Sequence, residues 1–359
     1  MPQGTPMTTG PKGLIAEARV VPYDLALAQP WRTAGGVAAR CRGWLVRVTD
    51  RDGGQGFGDY VLPPTQPGPV GEARLLADAA ARLPGLALDD ALTRLGDLAS
   101  PLWAVECALL DLDARRQGLC LARRLASGAA DSVAVNGVAP LGDPSAALAA
   151  GFAIIKMKVG LGTVEEEVVQ LHRQCLPAGV RLRLDANQAW TWDQACRFLD
   201  GIADLPIDGL EEPLADPTLE TLAALQGRTA IDLAIDESLP RFGADAVVGA
   251  GAVRRLVMKA ATVGGLVAGC RLAGQAVAAG MGVVVTSALD SAVGVAAAAH
   301  LAAAAGSTGL AHGLATSAWL AENVADPLAV AKGRMSLGQV NGLGVVPTTA
   351  FPQVDIARR

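Results

Sequence analysis

Five ionisable residues, Lys158, Asp185, Glu211, Asp236 and Lys259, recur along the chain at gaps of 27, 26, 25 and 23 residues. Each closes or follows a short apolar run, in AIIKMK, RLRLD, DGLE, LAID and RLVMK. A gap of that size holds one strand, one helix and two short loops. One charge per β/α unit, always at the same strand end, directs all five at one spot, as at the C-terminal mouth of a (β/α)8 barrel. Three carboxylates there supply hard oxygen donors and leave positions free on an octahedral ion, the preference of Mg2+, with Mn2+ as a substitute. Lys156 shares the strand face of Lys158, because side chains alternate across a strand. Two ammoniums side by side repel, each disfavouring the other's protonation, and a neutral amine can accept a proton. Lys259, about four strands round a barrel of eight, is expected on the opposite wall. A cation between opposed lysines suits removal of a proton α to a carboxylate, since it neutralises the enediolate that forms.

The strand RLRLD, followed by Ala186 and Asn187, is the clearest of the five. Arg181, Arg183 and Asp185 share one face, and Leu182 and Leu184 the other. In a barrel the leucines meet the helices and the polar face points inward, where charge is costly unless paired or bound to metal. For Asp185 alone, a structural Arg–Asp pair explains as much. Glu211 and Asp236 in register on the next two strands favour the metal.

These residues need a scaffold, and the pattern around them supplies one. From Leu14 to about Tyr60, alternating runs separated by turn residues read as a β-meander; helical periodicity then covers 72–82, 88–98 and 102–117. From Ser132, strand runs at 133–138, 153–158, 181–185, 209–211, 232–236, 254–259, 282–286 and, more weakly, 309–311 alternate with helical runs. The expected fold is therefore an α/β, TIM-type (β/α) barrel with an N-terminal α+β capping domain. Its expected divisions are a disordered lead-in over 1–12, the capping domain over 13–127 and the barrel with the active site over 128–325. An irregular C-terminal segment over 326–359 is expected to pack back on the capping domain.

Totals narrow the function further. A chain of 359 residues accommodates one barrel of roughly 250 plus a smaller domain. A formal charge of −5 and 4% aromatic residues give neither a basic footprint nor a stacking platform for nucleic acid, so a small-molecule partner is expected. The six cysteines are scattered without a CxxC pair, which suits reduced thiols of a cytoplasmic protein. The N-terminus has no apolar signal region, and the Ala-rich stretch at 293–305 is shorter than the ~20 residues of a membrane span. The oligomeric state is open, with a homo-oligomer compatible.

Five ordered motifs, KMKVG, RLDANQAW, LEEP, AIDES and VMKAATVGG, resemble the enolase superfamily, in its muconate-lactonising branch. The resemblance covers nearly the whole chain. The GFGDYVLPP segment at 56–64 is similar to that branch's capping-domain turn. Within the branch, DANQAW, EEPL, DESL and SALDSAVG look most like the o-succinylbenzoate synthases. The resemblance implies an enolase-like barrel, of the modified (β/α)7β form, and Mg2+ held by Asp185, Glu211 and Asp236. It implies Lys158 as general base and then acid in a syn dehydration, Lys156 tuning it, and Lys259 stabilising the enediolate from the other face. The substrate implied is a small carboxylate, 2-succinyl-6-hydroxy-2,4-cyclohexadiene-1-carboxylate, dehydrated to o-succinylbenzoate on the way to menaquinone.

Arg183 and Asn187 flank a ligand and are expected as substrate or second-layer contacts. Ser287, Leu289 and Asp290 end the seventh strand, where the branch reads the substrate's far end. Glu212 and Glu237 are expected to point away from the ion. Two departures stand out: Ala260 where many relatives have proline, and Asp59 where the capping-domain turn usually has glutamate. Arg32, Arg40 and Arg42 fall in the segment corresponding to a specificity loop, though each alone reads as a surface arginine. His172 and His300 read as structural, and His312 as a residue able to approach the mouth. The same lysines also suit 1,1-proton transfer, as in dipeptide epimerases and N-acylamino acid racemases, or muconate cycloisomerisation. Against the epimerase stands the lack of a DxD motif near the seventh or eighth strand. A catalytically silent barrel scaffold is the non-enzymatic alternative, disfavoured because no ligand position and no lysine is lost.

Overall fold

A computed structural model describes residues 13–33, 36–63, 70–95, 101–306 and 309–348. The expected lead-in over 1–12 lies outside them, as does the side chain of Arg32. The first unit is an antiparallel meander of β1 (Ile15–Thr33), β2 (Gly36–Asp50) and β3 (Gln55–Val61) in that order. Asp50 closes the β2–β3 turn by accepting the amides of Asp52 and Gly54 at 2.9 and 2.7 Å. Four helices follow: α1 (Val70–Ala81), α2 (Leu88–Leu95), α3 (Trp103–Arg116) and α4 (Leu121–Leu125). Helix α3 lies directly on β3. A Cβ at Gly58 would stand 1.9 Å from the Ala104 carbonyl oxygen, and one at Gly56 2.1 Å from that of Ala108. The two glycines of GFGD thus set how closely the helix approaches. Residues 103–114 of α3 are all buried, as befits a helix sandwiched between two units.

The second unit begins with β4 (Ser132–Ala134) and β5 (Gly137–Val138). Then come β6 (Ile154–Lys158), β7 (Arg181–Asp185), β8 (Ile207–Glu211), β9 (Leu233–Ile235), β10 (Arg255–Met258) and β11 (Gly282–Val285). Strands β5 to β11 form one parallel sheet in chain order. It closes through residues 312–313: His312 bridges in parallel to Val135, and Gly313 to Thr286. The eighth strand expected at 309–311 is therefore a pair of bridges slightly further on. The run at 133–138 also divides, because β4 leaves the barrel to pair antiparallel with β13 (Arg334–Ser336), itself paired with β12 (Val330–Ala331). That hairpin corrects the expectation of an irregular tail. Its two-residue loop, Lys332 and Gly333, has φ of +50° and +68°, the positive values a tight hairpin turn demands. Beyond it, Gly342 and Leu343 bond to Leu121 and Asp111 at 2.8 and 2.7 Å.

Helices α5 (Ser145–Ala149), α6 (Val164–His172), α7 (Trp192–Gly201), α8 (Leu219–Arg228), α9 (Leu239–Phe242) and α10 (Ala244–Ala250) line the barrel's outside. They are followed by α11 (Ala260–Val263), α12 (Leu266–Ala278) and α13 (Ala292–Ala304). Thr163, Thr191 and Thr218 start α6, α7 and α8 with reciprocal capping boxes to Glu166, Gln194 and Thr221. Such caps fix where each loop from the strand end must stop. Among the described residues, no helix is long and apolar enough to cross a membrane.

Candidate active site

Strand register does the assembling. Lys158 aligns with Asp185 and Asp185 with Glu211 across β6, β7 and β8. Glu211 aligns with Ala234, and Ala234 with Arg255. Asp236 and Lys259 lie two and four residues beyond that level on the same faces, a stagger expected of tilted barrel strands. The Lys156 Nζ donates to Glu211 Oε2 at 2.5 Å and lies 2.9 Å from Asp185 Oδ2. Lys259 pairs with Asp236. Lys158 Nζ donates to Asn187 Oδ1 at 2.5 Å.

Burial alone would lower the Lys156 pKa, but the charges of Glu211, Asp185 and Asp236 outweigh it and raise the pKa above the ordinary lysine range. The expected mutual discharge of the two lysines is therefore corrected at Lys156, whose dominant neighbours are carboxylates. Lys259 behaves alike: burial opposes its charge, and Asp236 more than compensates, so its pKa rises. All three carboxylates acting on one ammonium marks the point on which they converge. Among the described residues, no three His, Cys, Asp or Glu side chains stand close enough as placed to hold an ion; Asp185 and Glu211 turn to Lys156, and Asp236 to Lys259. The donor chemistry nonetheless fits a hard divalent cation: three carboxylates from successive strand ends, with nothing soft among them.

The loops are tied to one another. Asn187, at φ +43°, accepts from Lys158 and donates its Nδ2 to Glu237 Oε1 at 2.8 Å. Glu237 thus faces the site, correcting the expectation that it points away. Although Glu237 is exposed as a residue, desolvation of its carboxyl and the charges of Asp236 and Asp185 push that group up to about 7. Glu212 does turn away from the Lys156 side. Its carboxylate accepts the amides of Asp236 and Ser238 at 2.6 and 2.8 Å and the Ser238 hydroxyl at 2.7 Å, clamping the turn that carries Asp236.

Arg183 is corrected more fully. It is 1% exposed and lies one layer beneath Asp185, out of a substrate's reach. Its Nε donates to Asp208 Oδ2 at 2.9 Å and its Nη1 to the Ala311 carbonyl at 2.7 Å, while Arg255 Nη1 reaches the same Asp208 oxygen at 2.7 Å. Burial favours neutral Asp208, yet the two guanidiniums win and hold its pKa below the usual range. Sequence reasoning missed Asp208 because the register shifts between Leu182 and Arg183, so a bulge in β8 brings this residue to the inward arginines. Its cue was present: Gly209 beside it, where a Cβ would stand 2.8 Å from Arg255 Nη1.

Ser287, Leu289 and Asp290 follow β11, all buried. The Ser287 hydroxyl meets that of Thr316 at 2.6 Å. Asp290 accepts the Ala288 amide at 3.0 Å and sits at the capping-domain interface, beside Gly294. His312 is buried with its Nδ1 accepting the Val285 amide at 3.0 Å, so it fastens the barrel seam rather than the mouth. His300 accepts the Ala122 amide at 3.1 Å inside α13's packing, and the exposed His172 bonds the Gly201 carbonyl at 2.8 Å. Arg40 is an exposed partner of Asp24 at 2.7 Å, and Arg42 is exposed.

A capped barrel whose strand ends present carboxylates between lysines is the architecture of enzymes that work on protons beside carboxylates. The family model described as Enolase C-terminal domain-like matches residues 144–350. The chain belongs to that family, within the enolase superfamily. It is 40% identical over 158 residues to an o-succinylbenzoate synthase of Mycobacterium ulcerans, covering 43% of this chain and 46% of that one. With an o-succinylbenzoate synthase of Thermobifida fusca it shares 33% over 221 residues, 59% and 68% of the two chains. The alignment thus spans about half the length of the Mycobacterium relative and two thirds of the Thermobifida one. Among solved structures, the muconate lactonizing enzyme of Pseudomonas putida superposes with a TM-score of 0.79 at 25% identity, over 93% of this chain and 97% of that one. The L-Ala-D/L-Glu epimerase of Bacillus subtilis gives 0.81 at 24%, over 93% and 99%, a likeness of fold.

Proposed function

We propose that this protein is a Mg2+-dependent lyase that dehydrates 2-succinyl-6-hydroxy-2,4-cyclohexadiene-1-carboxylate to o-succinylbenzoate, in the cytoplasm and in menaquinone synthesis. The observation that carries the reading is the strand order: Lys158 on β6 and Lys259 just past β10 bracket the three strands whose ends hold Asp185, Glu211 and Asp236. The relatives' names supply the substrate, and the six free cysteines suit a reducing compartment. The domain divisions at 12, 127 and 325 belong to the same proposal, supported by the change from meander to barrel near Ser132.

In this reading Asp185, Glu211 and Asp236 hold the cation, which when bound neutralises the charge that builds on the substrate carboxylate. Lys158, oriented by Asn187, takes the α-proton. The same Nζ then returns that proton to the departing hydroxyl on the same face, so the C–H and C–O bonds break and water leaves. Lys259 keeps its ammonium on the other side, a fixed positive charge that needs no reorganisation. Lys156, displaced from Asp185 and Glu211 when the cation is held there, keeps its positive charge on the strand face it shares with Lys158 and sets the field in which Lys158 works. Dehydration assayed with the cyclohexadiene carboxylate and Mg2+ tests the proposal, with Lys158→Ala expected to lose at least about a thousandfold in kcat. Epimerisation of a dipeptide without dehydration would overturn the substrate and leave the site.

A further inference from the structure

Asp59 takes no part in that chemistry, yet it is wholly buried between the capping domain and the barrel. Its Oδ1 accepts the Tyr23 hydroxyl at 2.7 Å, and its Oδ2 accepts the amide of Ser291, the N-cap of α13, at 3.1 Å. Glycines make the room. A Cβ at Gly43 would stand 2.4 Å from the Tyr23 hydroxyl, and one at Gly294 2.6 Å from Asp59 Oδ2. A second capping-domain carboxylate repeats the arrangement one barrel helix earlier. Glu106 of α3 accepts the amide of Leu266, the first residue of α12, at 2.6 Å, and a Cβ at Gly265 would stand 2.4 Å from its Oε2. Cys41 of β2 adds a third tie, its thiol donating to the Leu289 carbonyl at 3.0 Å. Leu289 holds φ +69°, a left-handed conformation costly for any residue with a Cβ and kept only where its surroundings impose it.

We infer that Asp59 and Glu106 are positioning residues through which the capping domain sets the two barrel loops after Lys259 and Ser287, and with them the far wall of the substrate cavity. The inference rests on the proposed function only in taking Leu289 and its neighbours as that wall. Each carboxylate meets amides at a helix N-terminus, where the partial positive charge and the dry surroundings strengthen the bond. Removing one leaves a buried amide unpaired and lets its loop relax.

Hydrogen–deuterium exchange on the full chain, followed by kinetics on the same samples, tests this. Asp59→Ala should speed exchange at amides 289–293 by about tenfold or more and leave 264–268 unchanged. Glu106→Ala should do the reverse. Asp59→Asn, whose amide oxygen still accepts, should restore most of the protection; should Asp59→Ala fail to fold, Tyr23→Phe serves in its place. In turnover, Asp59→Ala should raise KM about tenfold with a smaller change in kcat. Unchanged protection at 289–293, a uniform loss across the barrel, or an unaltered KM despite a loosened loop would each overturn the inference. If the wild-type protein turns over none of the carboxylates, the proposed reaction fails, and the exchange measurement alone decides whether these carboxylates position the loops.

Discussion

Asp185 and Glu211 stand side by side on adjacent parallel strands, and one ammonium, that of Lys156, bonds to both at 2.9 and 2.5 Å. Two buried carboxylates at that spacing repel unless a positive charge lies between them. Lysine and a divalent cation are therefore alternative partners for the same oxygens. Lys156→Met is predicted to destabilise the metal-free protein by roughly 3 kcal/mol, the cost of orphaning a buried charge. Its Mg2+-induced rise in Tm should then exceed that of the wild type, measured by scanning calorimetry with and without Mg2+.

The Arg183–Asp208–Arg255 cluster beneath the site should behave as structure. Asp208→Asn leaves two buried guanidiniums short of charge and is predicted to cost about 3–5 kcal/mol in urea unfolding. Asp208→Asn and Arg183→Met together should cost less than the sum of the singles, because the second change removes a charge the first had stranded.

Glu212 acts on the site through the backbone of Asp236. Glu212→Ala should weaken Mg2+ binding by about 10–100-fold, as loss of a support behind a ligand does. Titration calorimetry reads this directly, and Glu212→Gln should recover part of the affinity.

Stability should respond to pH in two opposed ways. Burial holds His300 down to about 4 and His312 to about 3, below the ordinary 6.5, so the folded state binds fewer protons than the unfolded one. Their contribution is complete above about 6.5 and is lost as pH falls toward those values. Burial, and next the charge of Asp290, raises Asp59 to about 7 from 3.8, so its contribution is complete below the unfolded value and is lost as pH rises through about 7. Comparing Tm across pH 4–8, His300→Gln should flatten the acid limb and Asp59→Asn the alkaline limb. Each change is on the order of 3–4 kcal/mol over its window.

The strand-end residues were legible because each strand's alternation and spacing are local properties, visible in RLRLD and in IKMK without knowledge of neighbours. What escaped depended on pairing between distant segments. The β8 bulge hid Asp208, and with it the purpose of Arg183. Glu237 looked outward by simple alternation, but Asp236 already lies past the end of β9, where the strand period no longer holds. The two lysines invited a repulsion argument because their carboxylate partners lie on other strands. The hairpin at Lys332–Gly333 was local, yet a lysine at positive φ gives little signal.

Diffraction from crystals grown with Mn2+, recorded for its anomalous signal, tests most directly whether the three strand-end carboxylates serve one ion. A single manganese peak bonded to an oxygen from each of Asp185, Glu211 and Asp236, with Lys156 displaced from between the first two, is the predicted result. A map without a peak there, or with manganese bound elsewhere while Lys156 still spans Asp185 and Glu211, would contradict it.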